Sequence, residues 1–394
     1  MSEKQIIEQF NAHVMPTYGR YPLAVKCGEG RTCESEDSKR FLDFGSGIGT
    51  NSLGFCDEAW ADAVCAQVRA IQHTSNYYYT KVQADFAEQL CSITGYSKVF
   101  FGNSGAEANE CAIKLARKYS FDKYGKDRHT ILTLVNSFHG RTLTTLSATG
   151  QESFHNYFFP FTDGFRHIPA NDMASLEANL DDTVCAVMLE FVQGEGGVIP
   201  LEQNYVDEVF RLCGDRDILV IADEVQTGVG RTGRFLAAEH YGVLPDVTTL
   251  AKGLAGGIPI GVCAAKEVYA GVLSAGTHGS TFGGNPIACA GGLAVLERLS
   301  QPGFLMEVAA KGDYFHKALT ALPGVEGVDG LGLMIGIRLQ SAKAPALAKA
   351  CLERGLLVLT AKEKLRLLPP LTITYEEIDE GLAILRAALE ETEA

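Results

Sequence analysis

Short apolar runs alternate with helical segments between about residues 57 and 300. The runs are KVFFGN, HTILTLV, VCAVMLE, ILVIADE and VTTLAKG, and the first precedes the Ala-rich segment AEANECAIKLARKY, which favours a helix. This alternation is typical of α/β proteins in which helices cover both faces of a mostly parallel sheet. Active sites of such sheets lie outside the carboxyl ends of the strands. The polar residues that follow these runs are therefore the first candidates for function.

The pattern changes towards the end of the chain. After about residue 300, a helix around FLMEVAAKGDYFHKALTAL precedes the short strand patterns GVDGLGLMIGIRL, LLVLT and KLRLLPPLTI. Mixed short strands and helices are typical of a small α+β unit. We therefore predict that residues 1–56 form an N-terminal arm, residues 57–300 a large domain, and residues 301–394 a small domain.

Both ends carry helix signals. Near the start, Ile6, Phe10 and Val14 recur at helical spacing, and the prolines of MPTYGRYPLAV then end the helix. Near the other end, Thr374 and Glu377 are spaced as a capping box, which marks a helix start. The apolar face predicted for this last helix consists of Ile378, Leu382, Leu385 and Leu389.

Composition narrows the function classes. The 394 residues carry a formal net charge of -14, which disfavours binding to nucleic acid or to an anionic membrane. No apolar run approaches the ~20 residues that span a bilayer, and MSEKQIIEQF lacks the apolar core of a signal peptide. We therefore expect a cytoplasmic protein that acts on small molecules.

Cysteine and histidine spacing gives no sign of a metal site. The 11 cysteines include no CxxC pair, and the 9 histidines form no HxxxH or HExxH pair. We expect reduced core cysteines and neither a disulfide framework nor a bound metal.

Lys252 stands alone among small and apolar residues in VTTLAKGLAGGIPIG. Many lysines at strand ends lay their stem along the surface and reach water. A lysine enclosed near glycines can instead lose its proton and form a Schiff base. Asp223 ends the run ILVIADE, where it is either a structural cap or ion-pair partner or a functional carboxylate. Pyridoxal phosphate matches both residues, because its ring nitrogen is kept protonated by a carboxylate.

GVGRTG, residues 228–233, satisfies the GxGxxG pattern of dinucleotide-binding loops. In those loops the glycines directly follow a strand and open a helix. Here DEVQT lies between the strand and the glycines, so turns are the better interpretation.

Two further segments contain residues that are suited to bind a phosphate group and to cover the ring of a cofactor. VFFGNSGAEANECAIKL places Ser104, Gly105 and Ala106 between a strand and a helix, where free amides and the helix dipole favour phosphate. A plain helix cap by Asn103 or Ser104 is the alternative. NSFHGRT places Phe138 and Arg141 after the next strand, where they could cover a ring and grip a carboxylate. A core phenylalanine and a surface arginine are the alternative.

Together these motifs resemble the class III pyridoxal-phosphate-dependent aminotransferases. The likeness runs from about Met15 to Ile373 and is carried by YGRYPLAV, FGNSGAEANE, FHGRT, QGEGGV, DEVQTGVGRTG, LAKGLAGGIPIG and HGSTFGGNP. It implies the fold type I architecture, with a mostly parallel seven-stranded sheet in the large domain and a small domain built from both termini. It also implies a homodimer with active sites at the subunit interface.

The cofactor contacts that the resemblance implies are Ser104, Gly105, Ala106, Phe138, Asp223, Gln226, Lys252 and Thr281. Lys252 would form the Schiff base, Asp223 would hold the pyridine nitrogen, and Gln226 would bond the ring hydroxyl. Phe138 would stack on the ring, and Thr281 would reach the phosphate in the neighbouring subunit.

The substrate contacts that the resemblance implies are Tyr18, Arg141, Glu190, Ser280 and Arg366. Arg141 would grip the carboxylate of the amine donor, and Arg366 the α-carboxylate of glutamate. Glu190 would pair with Arg366 when no substrate carboxylate lies there, since an unpaired buried arginine is costly. The predicted catalytic residues are therefore Lys252, Asp223 and Glu190, although Glu190 could be a purely structural ion-pair partner.

The implied reaction transfers the terminal amino group of N2-acetyl-L-ornithine to 2-oxoglutarate, in arginine biosynthesis. Ornithine, succinylornithine and 4-aminobutyrate remain alternative donors, and Tyr18 lies near where ornithine-specific relatives hold the free α-amine. An aminomutase or a non-catalytic cofactor-binding regulator are weaker alternatives.

Overall fold

A computed structural model describes residues 1–393. The strands are β1 Val25–Glu29, β2 Thr32–Ser35, β3 Arg40–Asp43, β4 Lys98–Gly102, β5 Thr130–Leu134, β6 Phe165–Ile168, β7 Val184–Leu189, β8 Val192–Gln193, β9 Ile199–Pro200, β10 Leu219–Asp223, β11 Val247–Leu250, β12 Gly261–Ala265, β13 Val325–Leu331, β14 Met334–Leu339, β15 Leu356–Leu357, β16 Leu359–Ala361 and β17 Lys364–Leu367.

The α-helices are α1 Glu3–His13, α2 Ser46–Gly49, α3 Glu58–Ala70, α4 Lys81–Thr94, α5 Gly105–Tyr124, α6 Leu143–Ala148, α7 Met173–Asn179, α8 Gln203–Asp215, α9 Pro286–Leu299, α10 Phe304–Thr320, α11 Ala344–Glu353 and α12 Tyr375–Glu393. Short 3₁₀ helices cover Glu152–Phe154, Ala237–Tyr241 and Lys252–Ala255.

A seven-stranded sheet forms the centre of the molecule, in the order β4-β12-β11-β10-β7-β5-β6. The pairs from β11 to β6 are parallel, whereas β12 is antiparallel to both β11 and β4. The predicted mostly parallel seven-stranded sheet and the α/β fold class are therefore confirmed. Because β12 reverses direction, β4 again runs parallel to β11, and its carboxyl end lies at the same edge.

The strands at the sheet centre are apolar because both of their faces are covered. Every residue of β5, β7, β10, β11 and β12 is buried. Helix α5 packs on β4, β10, β11 and β12, and it buries small residues such as Ala108 and Ala112 at the contact. Its small buried residues allow the helix to approach the sheet closely, which fixes the helix start at the sheet edge.

Residues near both ends of the chain share a second sheet. This four-stranded sheet has the order β1-β2-β3-β15, and Leu356 of β15 pairs with Leu42 of β3. A third sheet, β13-β14-β17-β16, is antiparallel and lies wholly in the C-terminal part. This sharing supports the predicted division into 1–56, 57–300 and 301–394, which stays a prediction.

The helices predicted at the two ends are confirmed. Helix α1 ends at His13 before the proline-containing arm. At α12, the backbone N–H of Glu377 donates to the Thr374 hydroxyl at 3.2 Å, and the Thr374 N–H donates to Glu377 at 2.9 Å. The predicted apolar face is buried, with Ile378, Leu382, Leu385 and Leu389 no more than 9% exposed.

Residues 228–233 form turns, as the sequence indicated, and no helix opens at their glycines. Within them, Arg231 is buried and its Nη1 donates to the carbonyls of Leu333 and Pro369 at 3.1 and 2.5 Å. This arginine therefore joins the loop after β10 to the C-terminal part of the chain. The segment has a structural function here.

Within residues 1–393, no helix is both long and apolar enough to cross a membrane. In the same residues, no group of three or more His, Cys, Asp or Glu side chains is placed to hold a metal ion. All 11 cysteines are free thiols.

Gly261→Ala tests the close contact between β12 and the start of α5. A Cβ at Gly261 would lie 2.0 Å from the carbonyl oxygen of Ser104, a rigid backbone atom. We expect a loss of about 1–3 kcal/mol in unfolding free energy, measured as a lower thermal midpoint of the holoenzyme. Gly214→Ala is the control, since no atom outside its own helix backbone and chain neighbours lies within 4 Å of its Cβ. Equal midpoints for the two variants would contradict the assigned contact.

Candidate active site

A cavity of about 420 Å³ opens at the carboxyl edge of the large sheet. Five strands each deliver one lining residue there, at the strand end or in the loop that follows: Ser104 after β4, Phe138 after β5, Glu190 after β7, Asp223 ending β10 and Lys252 after β11. The volume is in the range of small-ligand sites. The sheet thus brings together residues that are up to about 150 positions apart.

Asp223 is held at the base of the cavity by hydrogen bonds. Its carboxylate is 4% exposed and accepts from Asn109 Nδ2 at 2.8 Å and from the backbone N–H of Val225 at 3.0 Å. Nδ1 of His139 lies 2.8 Å from the same carboxylate. A buried carboxylate needs such partners. These contacts fix Asp223 so that its remaining capacity to accept faces the cavity.

Lys252 begins a 3₁₀ helix directly after β11 and lines the same cavity. Its backbone has a φ of 41°, an unusual value for a residue with a side chain. Burial lowers the pKa of its ammonium group, although the nearby charge of Glu195 partly opposes the shift. The surroundings of Lys252 therefore disfavour the charged form of its amine.

The start of α5 forms the third wall. Ser104 caps the helix by accepting from the backbone N–H of Glu107 at 3.2 Å. The next two residues, Gly105 and Ala106, line the cavity at the positive end of the helix dipole. A Cβ at Gly105 would lie 2.7 Å from Val225, so only glycine allows this approach. The helix cap is therefore observed at Ser104, and the phosphate site at the same helix start stays a prediction.

Phe138 and Arg141, in the loop that follows β5, also line the cavity. Phe138 is half-buried, and Arg141 is exposed at the rim. The Arg141 guanidinium lies over the Phe154 ring, 4.0 Å from its centroid, and 5.5 Å from that of Phe138. The structure therefore places both predicted residues at the cavity.

Arg366 is paired with Glu195, and not with Glu190 as the sequence analysis expected. Its Nη1 donates to Glu195 Oε1 at 2.6 Å and to Gln226 Oε1 at 3.2 Å. Although burial opposes it, the positive charge of Arg366 lowers the pKa of Glu195. Nε of Arg366 is buried without a partner in the described part of the chain. A carboxylate ligand could therefore bond it.

Glu190 has a different position from the expected one. One carboxylate oxygen accepts from the backbone N–H of Phe138 at 2.9 Å, and the other from that of Gly194 at 3.1 Å. Burial raises its pKa to about 7. Its oxygens face backbone amides because the chain turns after β8, and this turn brings Glu195 to Arg366 instead.

Ser280, Thr281 and Tyr18 lie outside this cavity. Ser280 and Thr281 line a second cavity, of about 930 Å³, together with Tyr77 and Tyr79. Tyr18 is 74% exposed and has Arg20 above its ring at 5.4 Å. A single chain does not bring these three predicted residues to Lys252.

Sequence reasoning missed Asn109, His139 and Glu195. Asn109 lies one turn inside α5, where an amide gives no signal of a carboxylate partner from another strand. His139 lies in FHGRT and Glu195 in QGEGGV, so these two motifs carry the signal that could have identified both residues. Their roles depend on contacts that only the folded sheet creates.

Comparison with protein families and curated proteins agrees with this geometry. The family model described as aminotransferase class-III matches residues 14–389. The acetylornithine aminotransferase of Haemophilus ducreyi is 50% identical over 393 residues, covering 99% of this chain and 100% of that protein. That of Caldanaerobacter subterraneus is 48% identical over 384 residues, covering 96% and 98%.

Solved structures give the same result. The ornithine aminotransferase of Toxoplasma gondii, a structure described with partial occupancy of PLP at its active site, superposes with a TM-score of 0.95 at 31% identity, covering 100% of this chain and 95% of that one. The acetylornithine aminotransferase of Elizabethkingia anophelis superposes with a TM-score of 0.88 at 30% identity, covering 99% and 100%. The chain belongs to the class III aminotransferases, transaminases that use pyridoxal phosphate.

Proposed function

We propose that this enzyme transfers the terminal amino group of N2-acetyl-L-ornithine to 2-oxoglutarate. The products are N-acetyl-L-glutamate 5-semialdehyde and L-glutamate, and the reaction belongs to arginine biosynthesis. The observation that carries the proposal is the cavity in which Lys252 and Asp223 meet near the Arg366–Glu195 pair. The names of relatives at 50% and 48% identity support the donor.

The residues of the cavity fit pyridoxal phosphate. The phosphate would lie at the start of α5, at Gly105 and Ala106, where a larger residue at position 105 would collide with Val225. Asp223 would hold the protonated ring nitrogen, and Phe138 would cover the ring. When bound, the cofactor supplies an electron sink that stabilises negative charge on the carbon next to the amine.

Lys252 would supply the base in this reaction. Its Nζ would hold the cofactor through the aldehyde carbon and, when free and neutral, would take the proton from the carbon that bears the donor's amino group. The lowered pKa of its ammonium group increases the neutral fraction that such a base needs. Asp223 would stay beside the ring nitrogen throughout, because its contacts with Asn109 and His139 hold it in place.

The two arginines would bind the two substrates. Arg141 would bind the donor carboxylate at the rim, and Arg366 would bind the α-carboxylate of 2-oxoglutarate after Glu195 moves away. Replacing one carboxylate by another keeps the buried guanidinium paired in both half-reactions. In this scheme Gln226, which already contacts Arg366, would also reach the ring hydroxyl.

We further propose a cytoplasmic homodimer with shared sites. Ser280 and Thr281 would then reach the cofactor or substrate in the neighbouring subunit. Exposed aromatic rings support this arrangement, since Tyr77 is 92%, Tyr78 68% and Phe282 59% exposed. An exposed aromatic patch of this kind is typical of a protein interface. Tyr18 would also join a site only in the assembled enzyme.

Lys252→Ala tests the proposed base. We expect a fall in kcat of about 10³-fold or more, because no other amine in the cavity can move the proton. Steady-state assays with N2-acetyl-L-ornithine and 2-oxoglutarate measure the change. The control is Lys266→Ala, which removes a lysine that pairs with Asp246 at 3.0 Å, away from the cavity. Retained transamination by Lys252→Ala would contradict the assignment.

The visible absorption spectrum of the holoenzyme identifies the donor. We expect N2-acetyl-L-ornithine to remove the cofactor absorption band within a turnover, and 2-oxoglutarate to restore it, because the cofactor accepts and then gives the amino group. Ornithine, succinylornithine and 4-aminobutyrate are added separately for comparison. If the band responds quickly only to one of these compounds, the enzyme is still an aminotransferase, but that compound is its donor.

Glu195→Gln tests the partner of Arg366. Without the negative charge, Arg366 is left free to attract the donor carboxylate into the wrong position. We expect the half-reaction with N2-acetyl-L-ornithine to slow roughly tenfold or more relative to the one with glutamate. Stopped-flow absorption measures each half-reaction alone. Glu377→Gln, which breaks the Arg31–Glu377 pair outside the cavity, is the control. If the ratio of the two half-reaction rates is unchanged in Glu195→Gln, Glu195 does not give way to a substrate carboxylate on Arg366.

A further inference from the structure

Arg141 has no acidic partner, although it is a cation at the rim of a cavity. Among residues 1–393, no carboxylate or carbonyl accepts a hydrogen bond from its guanidinium, which contacts aromatic rings instead. The Phe154 ring centroid is 4.0 Å from the guanidinium carbon, and the Phe138 centroid is 5.5 Å away. Both distances are in the range of cation–π contacts. Aromatic faces therefore hold this side chain.

This arrangement differs in kind from that of Arg366. An ion pair uses the N–H donors of a guanidinium, and a ligand carboxylate must first displace the partner. A ring face attracts the positive charge but accepts no conventional hydrogen bond, so the donors stay free for a two-pronged contact with a carboxylate. Arg141 is thus oriented and unpaired at the same time.

The backbone around Phe154 is bonded to the segment that carries Phe138. Phe154 ends the 3₁₀ helix Glu152–Phe154, and its backbone N–H donates to the carbonyl of Gln151 at 3.0 Å. The buried Gln151 in turn donates from Nε2 to the carbonyl of Ser137 at 3.0 Å. Ser137 directly precedes Phe138. Both rings are therefore tied to the same stretch of backbone.

The two rings meet nearly at a right angle. Their centroids are 6.1 Å apart and their planes are inclined by 80°. The guanidinium of Arg141 lies against this corner, with the Phe154 ring as its nearer contact. No motif in the sequence pointed to Phe154, which lies in the segment QESFHNYFFPF.

We propose that Phe154 is a positioning residue that holds Arg141 at the cavity rim, ready for the carboxylate of the amine donor. Phe154 thereby favours donors that carry a carboxylate over otherwise identical amines that lack it. The inference rests on the proposed function, since it takes Arg141 as the donor-carboxylate contact.

The test compares two donors that differ only in the carboxylate. N2-acetyl-L-ornithine carries it, and N-acetyl-1,4-diaminobutane does not. Phe154→Leu keeps an apolar side chain of similar size but removes the ring. In the isolated donor half-reaction of the holoenzyme, we expect the apparent Kd for N2-acetyl-L-ornithine to rise about threefold to tenfold. The maximal rate and the constants for N-acetyl-1,4-diaminobutane should change less than about twofold.

Three variants separate positioning from a general structural effect. Phe154→Tyr keeps the ring face and should retain wild-type constants. Tyr157→Leu removes an exposed ring of the same segment that does not contact Arg141, and should also behave as wild type. In Arg141→Met, adding Phe154→Leu should change the constants less than twofold further, because Phe154 acts through Arg141.

The outcomes distinguish this inference from the proposed function. A wild-type enzyme that does not react with N2-acetyl-L-ornithine would contradict the proposed donor. If the wild type reacts but Phe154→Leu impairs the reaction of both donors equally, the role assigned to Phe154 is wrong and the proposed function stands. The same conclusion follows if Phe154→Leu further impairs the Arg141→Met enzyme. If Phe154→Leu does not accumulate as folded protein, Phe154→Met is measured in its place with the same expected result.

Discussion

Asp223 and Thr249 are register partners on the parallel strands β10 and β11, and the geometry of the cavity depends on this pairing. The Thr249 hydroxyl donates to Asn109 Oδ1 at 2.7 Å, which turns the amide nitrogen of Asn109 towards Asp223. Lys252 follows Thr249 by three residues. A shift in this register would therefore displace the carboxylate, its donor and the amine together.

A second buried carboxylate supports the loop that leaves β10. Glu224, next to Asp223, accepts from the backbone N–H groups of Ala237 and Ala238 at 3.0 and 2.8 Å and from the hydroxyl of Thr227. Burial raises its pKa to about 7. Its bonds close the loop onto the following 3₁₀ helix. Because unbonded buried carboxylates are costly, this loop has few alternative conformations.

The cavity holds its two arginines in opposite ways, and the difference follows from burial. Arg366 is 3% exposed, so leaving it unpaired would carry a large desolvation cost, and Glu195 compensates its charge. Arg141 is exposed at the rim, where water solvates its donors and aromatic contact is enough to orient it. The enzyme can therefore offer two sites for substrate carboxylates. The site at Arg141 is always open, whereas the site at Arg366 opens only when a substrate carboxylate replaces Glu195.

The sequence by itself determined the strand-helix alternation, the mostly parallel sheet, a helix cap at Asn103 or Ser104 and the position of Lys252 and Asp223 at strand ends. These features follow from local periodicity and from the rule that parallel strands share a carboxyl edge. Only the tertiary structure decided which carboxylate faces Arg366. Glu190 and Glu195 are five residues apart, and the turn between them directs one to backbone amides and the other to a guanidinium. Such a choice depends on the packing of β17 against that turn, because contacts between distant segments are not encoded in local spacing.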